Sequence, residues 1–138
     1  LTNVGNTGNA SPRPWHMIRL SFPLVDLKAV WIYSRPDSFF TEFTNVTVSI
    51  SNMDILATGA VCAQRLNATA SNQLLKVSCE AVAAGGTFEY VFLQKFAASN
   101  TYFGLAEVIV MRGGAWLLIT GIGRFAPTSM PPPMLRAG

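Results

Sequence analysis

A chain of 138 residues, 50% hydrophobic and only 12% charged, is long enough for one buried core and poor in surface charge. Its net charge of +3 comes from basic residues scattered without a run, which argues against a nucleic-acid partner. The longest late apolar run, residues 115–122, falls far short of the roughly 20 residues of a spanning helix, so no membrane span is expected.

The chain opens without a basic stretch followed by an apolar one, so it reads as a mature product or a piece of a longer polypeptide. Residues 1–14 are rich in Asn, Gly and Pro and read as a loop rather than a strand. Residues 17–22 then alternate, with Ile18, Leu20 and Phe22 directed inward and Met17, Arg19 and Ser21 outward. Trp15 is expected as a core anchor at the start of this strand, with an exposed stacking platform for a sugar as the alternative. After a turn at Pro23, Leu27, Ala29, Trp31 and Tyr33 share one face and Lys28, Val30 and Ile32 the other. Both faces are largely apolar, which places this strand in the middle of a sheet. An Arg35-Pro36-Asp37 corner follows, then Phe39, Phe40 and Phe43, which read as a satellite core tucked under a loop, with a binding wedge as the alternative.

Val46, Val48 and Ile50 mark a third strand. Residues 52–73 are polar and read as irregular, residues 74–78 as a short strand and residues 83–86 as a turn. Phe88, Tyr90 and Phe92 alternate with Glu89, Val91 and Leu93 in a strong strand pattern. Residues 95–102 read as a loop. Residues 105–111 read as a closing strand that Gly113-Gly114 breaks, and residues 115–120 allow one more short strand. No helix is expected. Residues 126–138 carry Pro127, Pro131, Pro132 and Pro133, a polyproline II pattern rather than a packed core, so residues 1–125 form the domain and the rest a linker or docking tail.

The cysteines are two, Cys62 and Cys79, and the one histidine is His16, too few ligands for a zinc site. The pair reads as a structural disulfide, worth about 3 kcal/mol for a loop of this size, with two free thiols in a reducing compartment as the alternative. Three sequons, at Asn9, Asn45 and Asn67, beside an even cysteine count favour a secretory route and an extracellular or cell-surface location. No nucleophile elbow, Walker A loop or G-x-G-x-x-G motif is present, and no pair of acidic residues has a spacing that suggests acid–base work. Catalysis is therefore not expected.

The order of these pieces resembles the F-type lectins (fucolectins), within the discoidin-like, galactose-binding-like jelly rolls. Trp15-His16-Met17-Ile18-Arg19-Leu20 looks like that fold's W-x-x-(V/I)-x-L strand, and Arg35-Pro36-Asp37 like the family's Arg-x-Asp sugar corner. Cys62 and Cys79 fall where the family has a half-cystine pair. Gly86-Thr87-Phe88-Glu89-Tyr90-Val91 resembles its G-R-Y-V strand, and Leu105-Ala106-Glu107-Val108-Ile109-Val110 its closing L-C-E-V-x-V. The likeness spans residues 3–111, and the family's opening strand is missing.

The resemblance implies an all-β, antiparallel jelly-roll β-sandwich of about eight strands. It implies sugar binding at Arg35 and Asp37. The family's site also uses a His and a second Arg, but here Thr41, Glu42 and Phe43 stand where that Arg belongs, and His16 lies inside the first strand. It further implies a Ca2+ ion held by Glu107 against the Asn-rich loop, with Asn6, Asn9 and Ser11 as oxygen donors, Asn3 lying in the same loop. For Glu107 the residues alone equally allow an ion pair with Arg13 or Arg19, or a place facing water. The function expected is an extracellular, lectin-like module that binds glycans or glycoproteins. The alternative, favoured by sparse charge and the proline-rich end, is a structural module packed among other chains of a surface or fibrous assembly.

Overall fold

β-Branched and aromatic residues at every second position give a strand one face to bury. In the computed structural model, described over residues 2–5, 12–113 and 115–118, nine strands form two antiparallel sheets, and β2, β3, β4, β7 and β8 bury such faces between them. The first sheet has the order β1 (Thr2–Gly5), β2 (Trp15–Leu24), β7 (Phe88–Lys95), β4 (Val46–Ser51), β5 (Ala60–Leu66). The second has the order β6 (Leu74–Ser78), β3 (Leu27–Tyr33), β8 (Glu107–Arg112), β9 (Ala115–Leu118). Ile18, Leu20, Val48, Ile50, Val91 and Leu93 from one sheet and Val30, Ile32, Val77, Val108 and Val110 from the other form a single buried cluster. Each such side chain contributes about 1.5–3 kcal/mol on full burial. The fold is thus the all-β sandwich expected, and β3 is central in its sheet.

Cys62 on β5 and Cys79 just after β6 are disulfide-bonded, with Cα atoms 4.8 Å apart. The bond ties an edge strand of one sheet to an edge strand of the other. Cys79 also begins a single helical turn, α1 (Glu80–Ala83), after which Gly85 takes φ +73°, a left-handed conformation that glycine adopts without a Cβ penalty.

Several sequence expectations are corrected. Residues 1–14 are not all loop: β1 pairs with β2, Thr2 opposite Arg19 and Gly5 opposite His16, so an opening strand is present. Residues 52–73 are not all irregular, since they hold β5; being an edge strand with little burial, it lacks the alternation that marks the others. Helical structure exists, as α1 and as short 3₁₀ turns at Ser38–Glu42 and Leu56–Thr58. Lys95 belongs to β7 rather than to the following loop. Phe22 is not inward but 47% exposed. Pairing of β2 with β7 shifts between Arg19 and Leu24, the strand bulges there, and Leu24 re-enters the core instead. Leu27 is buried with Val30 and Ile32 rather than sharing the half-buried face of Trp31 and Tyr33, because β3 also shifts register between Leu27 and Ala29. Trp15 is half-buried. Of the three phenylalanines, Phe43 is fully buried, Phe40 packs against the core and Phe39 faces solvent.

The tail at 126–138 lies outside the described residues, as do Asn6, Asn9 and Ser11. Among the described residues no helix is long and apolar enough to cross a membrane.

The antiparallel order gives the sandwich two unlike ends. One gathers the β2–β3 connection between the sheets, residues 52–59 and α1, and carries the exposed side chains of Phe22, Val25, Met53, Ile55, Val61 and Val82. The other gathers residues 34–45, 67–73 and 96–106, and holds the Arg35 corner.

Candidate functional site

The corner starts where β3 ends. Ser34 is buried; its hydroxyl donates to the Ala70 carbonyl at 2.9 Å and accepts from the Gln73 amide at 2.8 Å. The Arg35 carbonyl accepts from the Asn72 amide at 2.9 Å. The backbone around Arg35 is therefore fixed against the 67–73 loop before its side chain makes any contact. Pro36 forbids helix at Arg35 and forces the turn. Asp37 then caps the 3₁₀ turn, accepting from the Phe39 amide at 3.0 Å.

The same carboxylate takes the Arg35 guanidinium in a two-pronged bond, Nε to Oδ1 at 3.0 Å and Nη2 to Oδ2 at 2.6 Å. Arg35 Nη1 lies 4.0 Å from the Glu42 carboxylate, and the guanidinium stands 5.2 Å above the ring of Phe39. The Asp37 hydrogen bonds, with help from the charges of Asp37 and Glu42, hold the Arg35 guanidinium protonated above its already high ordinary value. Its side chain remains 23% exposed. Gly104 closes the site from the far loop: a Cβ there would come within 2.7 Å of Glu42 Oε1 and 2.8 Å of Arg35 Cδ. The corner is thus an accessible guanidinium flanked by two carboxylates, beside an exposed aromatic face. Five N–H donors serve a guanidinium and Asp37 takes two, so the others can meet ligand hydroxyls.

Beneath this surface lie two buried polar residues that share register with the core. Lys95 continues the inward series Val91, Leu93 and is 4% exposed. Its ammonium donates to the Glu42 carbonyl at 2.8 Å, the Thr101 hydroxyl at 2.9 Å and the Tyr102 carbonyl at 3.0 Å. Burial pushes its pKa below the ordinary lysine value, with the Glu42 charge opposing. His16 continues the inward series Ile18, Leu20, and its ring meets Phe103 edge-on at 5.1 Å between centroids. Phe103 in turn meets Phe43 at 5.6 Å. His16 is therefore a core residue under the corner and offers no contact to a ligand above it.

The structure joins Arg35 and Asp37, the two residues the resemblance names, by their paired hydrogen bonds. Glu107 is the first residue of β8, pairs opposite Tyr33 at the end of β3, and follows the loop that brings Gly104 to Arg35. Among the described residues no group of three or more His, Cys, Asp or Glu is placed to hold a metal ion, and the oxygen donors expected from Asn6, Asn9 and Ser11 lie outside those residues. Of the sequons, Asn45 and Asn67 are exposed neighbours: the Asn45 amide donates to Asn67 Oδ1 at 2.9 Å. Asn9 lies outside the described residues.

Glu42, Gly104 and Lys95 were not found from sequence. A lysine in step with Val91 and Leu93 is the one signal the chain offers for Lys95; Glu42 and Gly104 give none. No protein-family model, curated protein or solved structure matches this chain.

Proposed function

We propose that this chain is a carbohydrate-binding, lectin-like module of a cell-surface or secreted glycoprotein, acting by binding rather than catalysis. The observation that carries the reading is the Arg35 corner. Sugar hydroxyls pair with groups that donate and accept side by side, and sugar C–H faces lie on aromatic rings. Arg35, Asp37, Glu42 and the half-exposed ring of Phe39 supply both within one small surface. Two carboxylates beside one accessible cation favour a neutral, hydroxyl-rich ligand over an anionic one. The exposure of Asn45 and Asn67 suits N-glycan acceptors, and the disulfide suits an oxidising compartment. Repeated passage of the chain between the sheets, β2 to β3, β3 to β4, β5 to β6, β6 to β7 and β7 to β8, supports a jelly-roll form of the sandwich.

A printed panel of neutral and anionic glycans, probed with the full chain and with Arg35→Met, tests the reading. Retention of neutral glycans by the parent and its loss in the variant are expected. Retention by neither, or equally by both, overturns it.

One observation favours a second reading, a structural module packed in an assembly. Among the described residues, six of the eight exposed large apolar side chains lie at the end opposite Arg35. Light scattering separates the two: concentration-dependent association without glycan retention supports the second.

A further inference from the structure

We propose that Lys95 is a positioning residue that sets the Arg35 corner by clamping its two loops together from below. This rests on the sugar-binding reading for its functional consequence, though not for its structural test. The three oxygens around the Lys95 ammonium come from opposite sides of the site. The Glu42 carbonyl belongs to the 3₁₀ turn that follows Asp37; the Thr101 hydroxyl and Tyr102 carbonyl belong to the loop that delivers Gly104. An ammonium has three donors, and all three are used. The carboxylate of Glu42 faces Arg35 at the surface while its carbonyl is held by Lys95 below. One residue therefore links the buried cation to the exposed one.

The energetics support a specific purpose. Burying a charge without a carboxylate bonded to it is costly unless its donors are all satisfied, and a neutral apolar side chain in step with Val91 and Leu93 would avoid that cost. What an apolar side chain cannot do is hold two backbone carbonyls and a hydroxyl from separate loops at fixed distances. Gly104 shows why the distances matter. It approaches so closely that a single added carbon would collide with both Glu42 and Arg35. A loop free to shift by about one ångström would change the shape of the whole corner. Phe103 alone, wedged between His16 and Phe43, holds the loop down but does not tie it to the backbone of the turn.

The test is amide hydrogen exchange on the full chain without sugar, comparing the parent, Lys95→Ala and Lys95→Gln. In Lys95→Ala, exchange across residues 38–44 and 101–106 should rise at least tenfold, with β2, β4 and β7 unchanged. Adding n-butylammonium chloride, which returns a donor cation to the gap, should restore protection, whereas choline chloride, which donates no N–H bond, should not. Lys95→Gln, which is one bond shorter and keeps an N–H donor but no charge, covers the case in which the alanine variant does not fold, and should show the same loop-confined rise at smaller size. Unchanged loops, or exchange rising equally through the core strands, overturns the proposal. Any glycan the parent retains on the printed panel should be lost by Lys95→Ala and regained with n-butylammonium; unaltered retention also overturns it. A parent that retains no glycan sinks the sugar reading alone, and the exchange result still decides for or against Lys95.

Discussion

Acid should destabilise this sandwich through one residue, His16. It is 5% exposed, on the inner face of β2. Its Nε2 lies 3.4 Å from the Phe103 carbonyl, and its Nδ1 has no hydrogen-bond partner among the described residues. An Nε2–H donor to Phe103 leaves Nδ1 as the protonation site, and a proton there would be buried without an acceptor. Burial accordingly lowers its pKa from 6.5 to about 4, against a small opposing effect of the Phe103 bond. A lowered folded pKa means that the unfolded chain binds the proton more readily. The stability tied to neutral His16 is therefore complete above pH 6.5 and is lost as pH falls through 4. At 1.36 kcal/mol per unit the difference comes to roughly 3 kcal/mol, or about 10 °C in melting temperature for a domain of this size. Carboxylates titrate in the same range, so the informative quantity is the difference between parent and His16→Gln melts from pH 7.5 to 3.5. The variant, which cannot protonate, should lose about 3 kcal/mol less than the parent over that range. Parallel pH profiles for the two proteins would refute the reasoning.

Three further outcomes follow from the geometry. Reduction should add two hydrogens to the intact mass, and the Cys62→Ala/Cys79→Ala double variant should lose about 3 kcal/mol in denaturant unfolding. Gly104→Ala should cost under about 1 kcal/mol in stability, because its backbone is not left-handed and the atoms it meets belong to partly exposed side chains. It should nevertheless weaken glycan retention about tenfold or more by displacing Arg35 and Glu42, as measured on the same printed panel. If Glu107 joins Asn6, Asn9 and Ser11 around calcium, the melting temperature should rise with calcium relative to chelator, and Glu107→Gln should abolish the rise.

Where side chains alternate against a buried sheet, the sequence was readable. β4 is found at the residues its pattern marks, because it lies between β7 and β5 and buries Val46, Val48 and Ile50. β5 was unreadable for the opposite reason. It is an edge strand, it contains Gln64 and Arg65, and Arg65 takes a left-handed φ of 57° where pairing with β4 is irregular. Phe22 misled because a bulge is decided by which partner residues lie across the strand, and alternation within one strand cannot report that. The Arg35-Pro36-Asp37 corner was legible because its residues adjoin in the chain, whereas the bond between Arg35 and Asp37 emerges only in the structure. Glu42, Lys95 and Gly104 join that corner only through contacts between distant loops, which no local pattern encodes. Lys95 and His16 were visible only as polar residues in step with an apolar face, a sign easily read as the end of a strand.

The central claim, that Arg35 and its neighbours bind sugar, is tested most directly by a binding isotherm for the neutral glycan retained most strongly on the panel, measured for the parent and for Arg35→Met. Charge-assisted hydrogen bonds of about 1.5–3 kcal/mol predict an affinity loss between roughly tenfold and 150-fold, with the far-ultraviolet circular dichroism of the sandwich unchanged. Equal affinities in the two proteins would contradict the account.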